Sequence, residues 1–227
     1  MIDHTFNEIF RKYASDKEIF HDLMPLRARE ILLVAPAFDA FTLEQDGLLT
    51  EILFDGYYQL NMSNPPRVTN VSTMDEALEK CADRHFDMII VMSRLGQGGH
   101  IELSKALHTA APRIPIYLLL NDNVEVGAMD RRRQELQRHY DQIFVWNGNP
   151  EIFMAMVKFM EDRANVQNDT AVGLTRVILL VEDSIRYYSR YLPILYSEIL
   201  KQTTRLAKDQ NMDRMTRTLS MRVRPKV

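Results

Sequence analysis

The residues able to do chemistry in this 227-residue chain are scattered, and their spacing excludes more than it supports. Six histidines (His4, His21, His85, His100, His108 and His139) lack close metal-ligand spacing, and none pairs locally with a nucleophile in a recognisable turn. Cys81 has no base near it in sequence, so it reads as a small buried hydrophobe rather than a nucleophile. Gly96, Gly98 and Gly99 lack G-x-G-x-x-G spacing and follow the third apolar run, not the first, which argues against a dinucleotide site. Glu182 and Asp183, directly after Leu179-Leu180-Val181, offer two hard carboxylate oxygens. They are candidate Mg²⁺ ligands if the domain they open is complete. Their other use is at the start of the following helix, where negative side chains are favoured, and within these 227 residues that use is the preferred one.

The rest of the composition narrows the class. The chain is 46% hydrophobic and 26% charged, with 9 prolines and 8 glycines, which excludes a collagen-like or wholly disordered protein. A single cysteine allows no internal disulfide and points to a reducing, cytoplasmic setting. No apolar run approaches a membrane span, and MIDHTFNEIF lacks the layout of a secretion signal. The net charge of −3 is uneven: residues 201–227 carry eight basic and two acidic side chains, while the first 200 residues are net acidic. No aromatic residue lies among those basic groups to stack on bases, so nucleic acid is not the expected partner. A solvated helix face is the simplest reading, and attraction between the two halves of the charge is the other.

Apolar runs alternate with helical stripes from about residue 29 to 163. The strand-like runs are 31–34, 67–71, 87–92, 116–120 and 143–146, and the helical stretches cover about 40–54, 73–84, 100–110, 130–140 and 150–163. Thr73 and Glu76 form a capping box, and Asn149-Pro150 is a helix start. Residues 1–25 are expected to be a helical extension, with the main domain at 26–163 and a linker at 164–175. The pattern predicts an α/β fold, a three-layer, doubly wound, five-stranded parallel sheet with helices on both faces.

The pattern then restarts. Arg176-Val177-Ile178-Leu179-Leu180-Val181 matches Arg29-Glu30-Ile31-Leu32-Leu33-Val34 in kind, and Arg224-Pro225-Lys226-Val227 matches Pro66-Arg67-Val68. A helix is predicted over 185–220, with Pro193 kinking it or marking a junction. Residues 176–227 therefore read as the first strand and helix of a second, truncated unit, whose apolar faces must dock on something.

With these runs in place the chain resembles the receiver domain of two-component response regulators, a flavodoxin-like fold, over roughly 29–163 and again from 176. The resemblance implies an acidic pair after strand one, a phosphorylated Asp after strand three, a hydroxyl after strand four and a Lys after strand five. Leu180-Val181-Glu182-Asp183-Ser184 keeps the opening of that pattern. The first unit departs from it throughout, with Ala35 and Pro36, Met92, Leu120 and Trp146 at the four places. None supplies a metal ligand or a countercharge, so this corner is expected to be free of carboxylates and unable to hold a phosphoryl group. A less specific resemblance, through Tyr187-Tyr188-Ser189-Arg190-Tyr191-Leu192-Pro193 and 222–226, is to the N-terminal regulatory region of bacterial proteins with a phosphoenolpyruvate/pyruvate-binding domain. The expected function is that of a non-catalytic pseudo-receiver without a cofactor, acting through a protein partner or a downstream domain. A homodimer exchanging the 185–220 helix is a further expectation. The alternative is a phosphorylatable regulator whose acceptor Asp lies in the missing part of the second unit.

Overall fold

The computed structural model describes residues 22–45, 65–95, 99–121, 123–130, 132–146, 148–209, 222 and 224–227. The helical extension expected before residue 22, the second half of the 40–54 helix, Gly96 and Gly98, and residues 210–220 lie outside these. Among the described residues there are five strands: β1 (Glu30–Val34), β2 (Arg67–Val71), β3 (Met88–Met92), β4 (Ile116–Leu120) and β5 (Gln142–Val145). The helices are α1 (Ala37–Gln45), α2 (Met74–Asp83), α3 (Gly99–Ala110), α4 (Asn123–Asp130), α5 (Arg133–Leu136), α6 (Glu151–Gly173) and α7 (Ile185–Asp209).

All strand pairs are parallel, in the order β2-β1-β3-β4-β5, the order of a doubly wound flavodoxin-like sheet. Side chains alternate across such a sheet, and two cores result. Ile31, Leu33, Ile90, Met92, Tyr117, Leu119 and Phe144 pack with α6 and α7 on one face. Leu32, Val34, Ile89, Val91, Leu118, Leu120 and Val145 pack with α2, α3 and α4 on the other. Burial on both faces is why these runs are continuously apolar. Among the described residues, no helix is long and apolar enough to cross a membrane.

Four expectations change in detail. Thr73 caps α2 by accepting the Glu76 N–H at 3.2 Å, but the Glu76 carboxylate reaches the Ser72 amide rather than that of Thr73. Asp130 ends α4 instead of starting a helix, because buried Val126 and partly buried Met129 anchor the turns before it. Residues 164–173, expected as linker, continue α6 to the left-handed Leu174 (φ 49°), since Asn165 and Asp169 are buried with partners on that helix face. Pro193 is accommodated inside α7, which passes it without a junction.

Among the described residues, the restarted segment adds no sixth strand to this sheet. Residues 178–184 carry no ladder, and the described part of 176–227 contributes one parallel bridge, Val177 to Lys226. The helix offered for exchange between copies packs on its own chain's α6 and β5. Ser189 accepts the Val145 amide at 2.9 Å, occupying a hydrogen-bonding group on the outer edge of β5.

Candidate functional site at the carboxyl edge of the sheet

In a doubly wound sheet, ligands bind beyond the carboxyl ends of the strands, where the strand order reverses. Here that place lies between β1 and β3. Ala35, Met92 and Leu120 are fully buried there, and Trp146 is half-buried against Phe153. The main chain is tied down by Ala35 N–H to Val71 O at 3.0 Å, Ser93 N–H to Leu119 O at 3.0 Å and Trp146 N–H to Leu120 O at 2.8 Å. Thus Met92, where a receiver has its acceptor, presents a thioether inside the core.

The corner is nevertheless not free of carboxylates, and that expectation is corrected. Glu125, three residues into α4, accepts from the Ser93 hydroxyl, from Arg94 Nε at 2.8 Å and from the Asn121 amide at 3.2 Å. Asp39 on α1 accepts from Asn121 Nδ2 at 2.9 Å. One acid in the first turn of each helix was the available signal. Both carboxylates are already engaged: Arg94 offsets the charge of Glu125, and protein donors occupy oxygens of each. The arrangement ties the loops after β1, β3 and β4 together. It supplies no acceptor Asp and no lysine.

Glu182 and Asp183 stand elsewhere, at the entry to α7. Glu182 Oε1 accepts the Ser184 amide at 2.9 Å, and the Asp183 carbonyl accepts from Arg133. Glu182 also borders a cleft of about 310 Å³ with Arg133, Tyr140, Asp141, Ile185 and Tyr188. Among the described residues no group of three or more His, Cys, Asp or Glu is placed to hold a metal ion.

Among the described residues the histidines and Cys81 form no metal-holding group. His100 is buried with Nδ1 3.1 Å from the Tyr140 hydroxyl, and burial, then Arg132, hold it below its ordinary value. His108 Nδ1 donates to the Ser104 carbonyl one turn back. Cys81 packs at the edge of the α2 and α3 core, where burial pushes its thiol up.

The sequence also concealed a buried ionic cluster. Lys158, Glu161, Asp162 and Asp169 of α6 are fully buried with Arg224 and Lys226, three acids against three bases. Asp162 takes both guanidinium nitrogens of Arg224 (2.9 and 2.7 Å), the Tyr196 hydroxyl at 3.1 Å and the Val227 amide at 3.1 Å. Lys226 pairs with Asp169 at 2.8 Å, and Lys158 with Glu161 at 2.7 Å. Burial opposes the charge on Arg224, but Asp162 outweighs it and holds the guanidinium above its usual value. On Lys158 burial prevails over Glu161 and lowers the ammonium. Asp169, Asn165 and Glu161 also accept the amides of Met24, Leu26 and Ala28, so the segment entering β1 is held by the same helix. Of the basic end of the chain, Arg224 and Lys226 are drawn to the acids of α6, whereas Lys201 and Arg205 on α7 are exposed as on a solvated helix face.

No family model and no curated protein sequence matches the chain. Its fold is similar to several solved structures. The receiver domain protein (CheY-like) from Methanospirillum hungatei JF-1 is 17% identical, with a TM-score of 0.46 over 62% of this chain and 98% of that one. The signal receiver domain of an HD domain-containing protein from Pseudomonas fluorescens Pf-5 is 17% identical, with a TM-score of 0.45 over 63% and 94%. The chemotaxis response regulator CheY4 of Vibrio cholerae is 16% identical, with a TM-score of 0.44 over 60% and 99%. The fold itself rests on the parallel sheet order β2-β1-β3-β4-β5, that of a flavodoxin-like α/β protein.

Proposed function

We propose that this chain is a non-catalytic, cytoplasmic signalling module, a pseudo-receiver that acts by protein–protein contact. The reading is carried by one observation: Ala35, Met92 and Leu120 fill the carboxyl corner of the sheet as fully buried apolar side chains. Transfer of a phosphoryl group to a carboxylate needs the acceptor, a cation and ligands for that cation. The two carboxylates that reach the corner are committed to Ser93, Arg94 and Asn121. Exposed apolar side chains just beyond the strand ends, Phe38 (78%), Met74 (44%) and Val124 (84%), favour contact with a protein surface over capture of an anion.

The test is incubation with acetyl phosphate and Mg²⁺, followed by intact-mass measurement. The expected result is no adduct of about 80 Da, the mass of one phosphoryl group. A stable adduct on any Asp of residues 26–163 overturns the reading. A second reading, a phosphorylatable regulator with its acceptor in a completed second unit, is favoured by Glu182-Asp183 following the strand-like run and by the parallel Val177–Lys226 bridge. It predicts an adduct only in a longer chain.

A further inference from the structure

We propose that residues 176–227 are the opening strand, helix and strand of a second parallel sheet, and that the outer edge of its first strand seats a further apolar strand of the β3 kind carried on the same polypeptide. The inference stands apart from whether the first corner is catalytic.

The repeat is one of register as well as of residue type. In the first unit Glu30 faces Arg67, and the Arg67 amide donates to the Arg29 carbonyl at 2.7 Å. In the second, Val177 faces Lys226, and the Lys226 amide donates to the Arg176 carbonyl at 2.9 Å. Each basic residue is preceded by proline and followed by valine. The same parallel pairing thus begins twice, between corresponding residues.

The two first strands then part company. Leu32 and Val34 are fully buried, because β3 pairs on the side of β1 away from β2 and brings Ile89 and Val91 beside them under α2 and α3. Their counterparts Leu179 and Val181 are 83% and 81% exposed. Backbone groups alternate along an extended strand. The Ile178 amide goes to Lys226, so an extended continuation of this pairing would turn those of Leu179 and Val181 to the other edge. The helix between the two strands repeats the imbalance. Ile185, Ser189, Leu192, Tyr196 and Ile199 bury one side of α7 on the first unit, while Tyr187, Tyr191 and Ile194 stand exposed on the opposite side.

The open surface is continuous with an interface already formed, because α7 joins the first unit and the Val177–Lys226 pair begins a parallel sheet. That direction selects the occupant. A second copy meeting this edge across a two-fold axis normal to the sheet presents its strand antiparallel, whereas the first unit continues with a parallel apolar strand, Met88–Met92, supplied in cis after β2.

Two chains test this: the 227-residue protein, and a longer one in which residues 69–95 are repeated after Val227, so that Val227 takes the place of Val68. Amide hydrogen exchange is read at Leu179 and Val181, with Leu32 and Val34 as the folding control, beside light scattering. The expected result is a monomer with rapid exchange at Leu179 and Val181 in the shorter chain, and slowing by about 100-fold or more in the longer one. L179K in the longer chain should reverse that slowing and leave Leu32 and Val34 protected. Unchanged exchange at Leu179 and Val181 in the longer chain, with the control protected, overturns the proposal. Protection in the shorter chain, together with a dimer, also overturns it by giving the edge to a second copy. If the longer chain loses the control protection, residues 69–95 added as a separate peptide provide the same reading, and absence of slowing at saturating peptide overturns the proposal.

Discussion

Residues 30–34 and 177–181 have nearly the same apolar pattern and opposite surroundings. Leu32 and Val34 are buried beneath α2 and α3, whereas Leu179 and Val181 face solvent. The comparison teaches that an apolar run encodes a strand only when neighbours occupy its edges and faces. Hydrogen-bonding capacity and hydrophobicity are properties of the segment; their satisfaction is a property of its partners.

Asp162 holds the two regions together, and its loss should have the largest effect. Asp162→Ala leaves Arg224 buried without its carboxylate and should cost about 3–5 kcal/mol in urea unfolding. Retention of wild-type stability would show that residues 224–227 are not seated as described. Leu32→Ala comes next, at about 2–5 kcal/mol for a filled core site, whereas Leu179→Ala should stay within about 0.5 kcal/mol. Equal losses at both positions would break the comparison outright. Thr73→Ala removes the cap of α2 and should cost about 1 kcal/mol. Ser184→Ala, at the start of α7, should cost less, because Ser184 Oγ accepts the Tyr187 amide only at 3.4 Å.

The smallest expected effect is one of pH, and it belongs to the first region, since residues 176–227 contain no histidine. Burial holds His100 below its ordinary 6.5 in the folded chain. The unfolded chain therefore binds the proton first on acidification. The contribution of His100 to stability is present above about pH 6.5 and is lost as pH falls through the lower folded value. Unfolding free energies measured from pH 7.5 down to 5 should decline less steeply for His100→Asn, with about this range set by the ordinary histidine pKa. Identical slopes would remove His100 as a source of the pH dependence.

Much of the first region was legible because its signals are local. Ile31 to Val34 and Met88 to Met92 had to be strands covered on both sides, and Thr73 with Glu76 marked a helix start. The site was legible in its apolar part and misjudged in its polar part. Ala35, Met92, Leu120 and Trp146 were identified where they stand, but Glu125 and Asp39 reach the corner from the first turns of helices that follow different strands. Nothing in the neighbouring sequence brings Glu125 to Ser93. The predicted linker failed for a similar reason: Asn165 and Asp169 look like solvent-facing polar residues until Leu26, Met24 and Lys226 arrive beside them.

Periodicity, capping residues and the repeat at Arg29 and Arg176 determined by themselves the five strands of the first region, their order along the chain and the presence of two related openings, because each depends on neighbours a few residues apart. Tertiary structure alone decided which opening is covered, which charges are buried and where α6 ends. Those outcomes depend on groups distant in the chain that remove water from one another, and a carboxylate such as Asp162 changes from surface charge to core residue only when Arg224 meets it there.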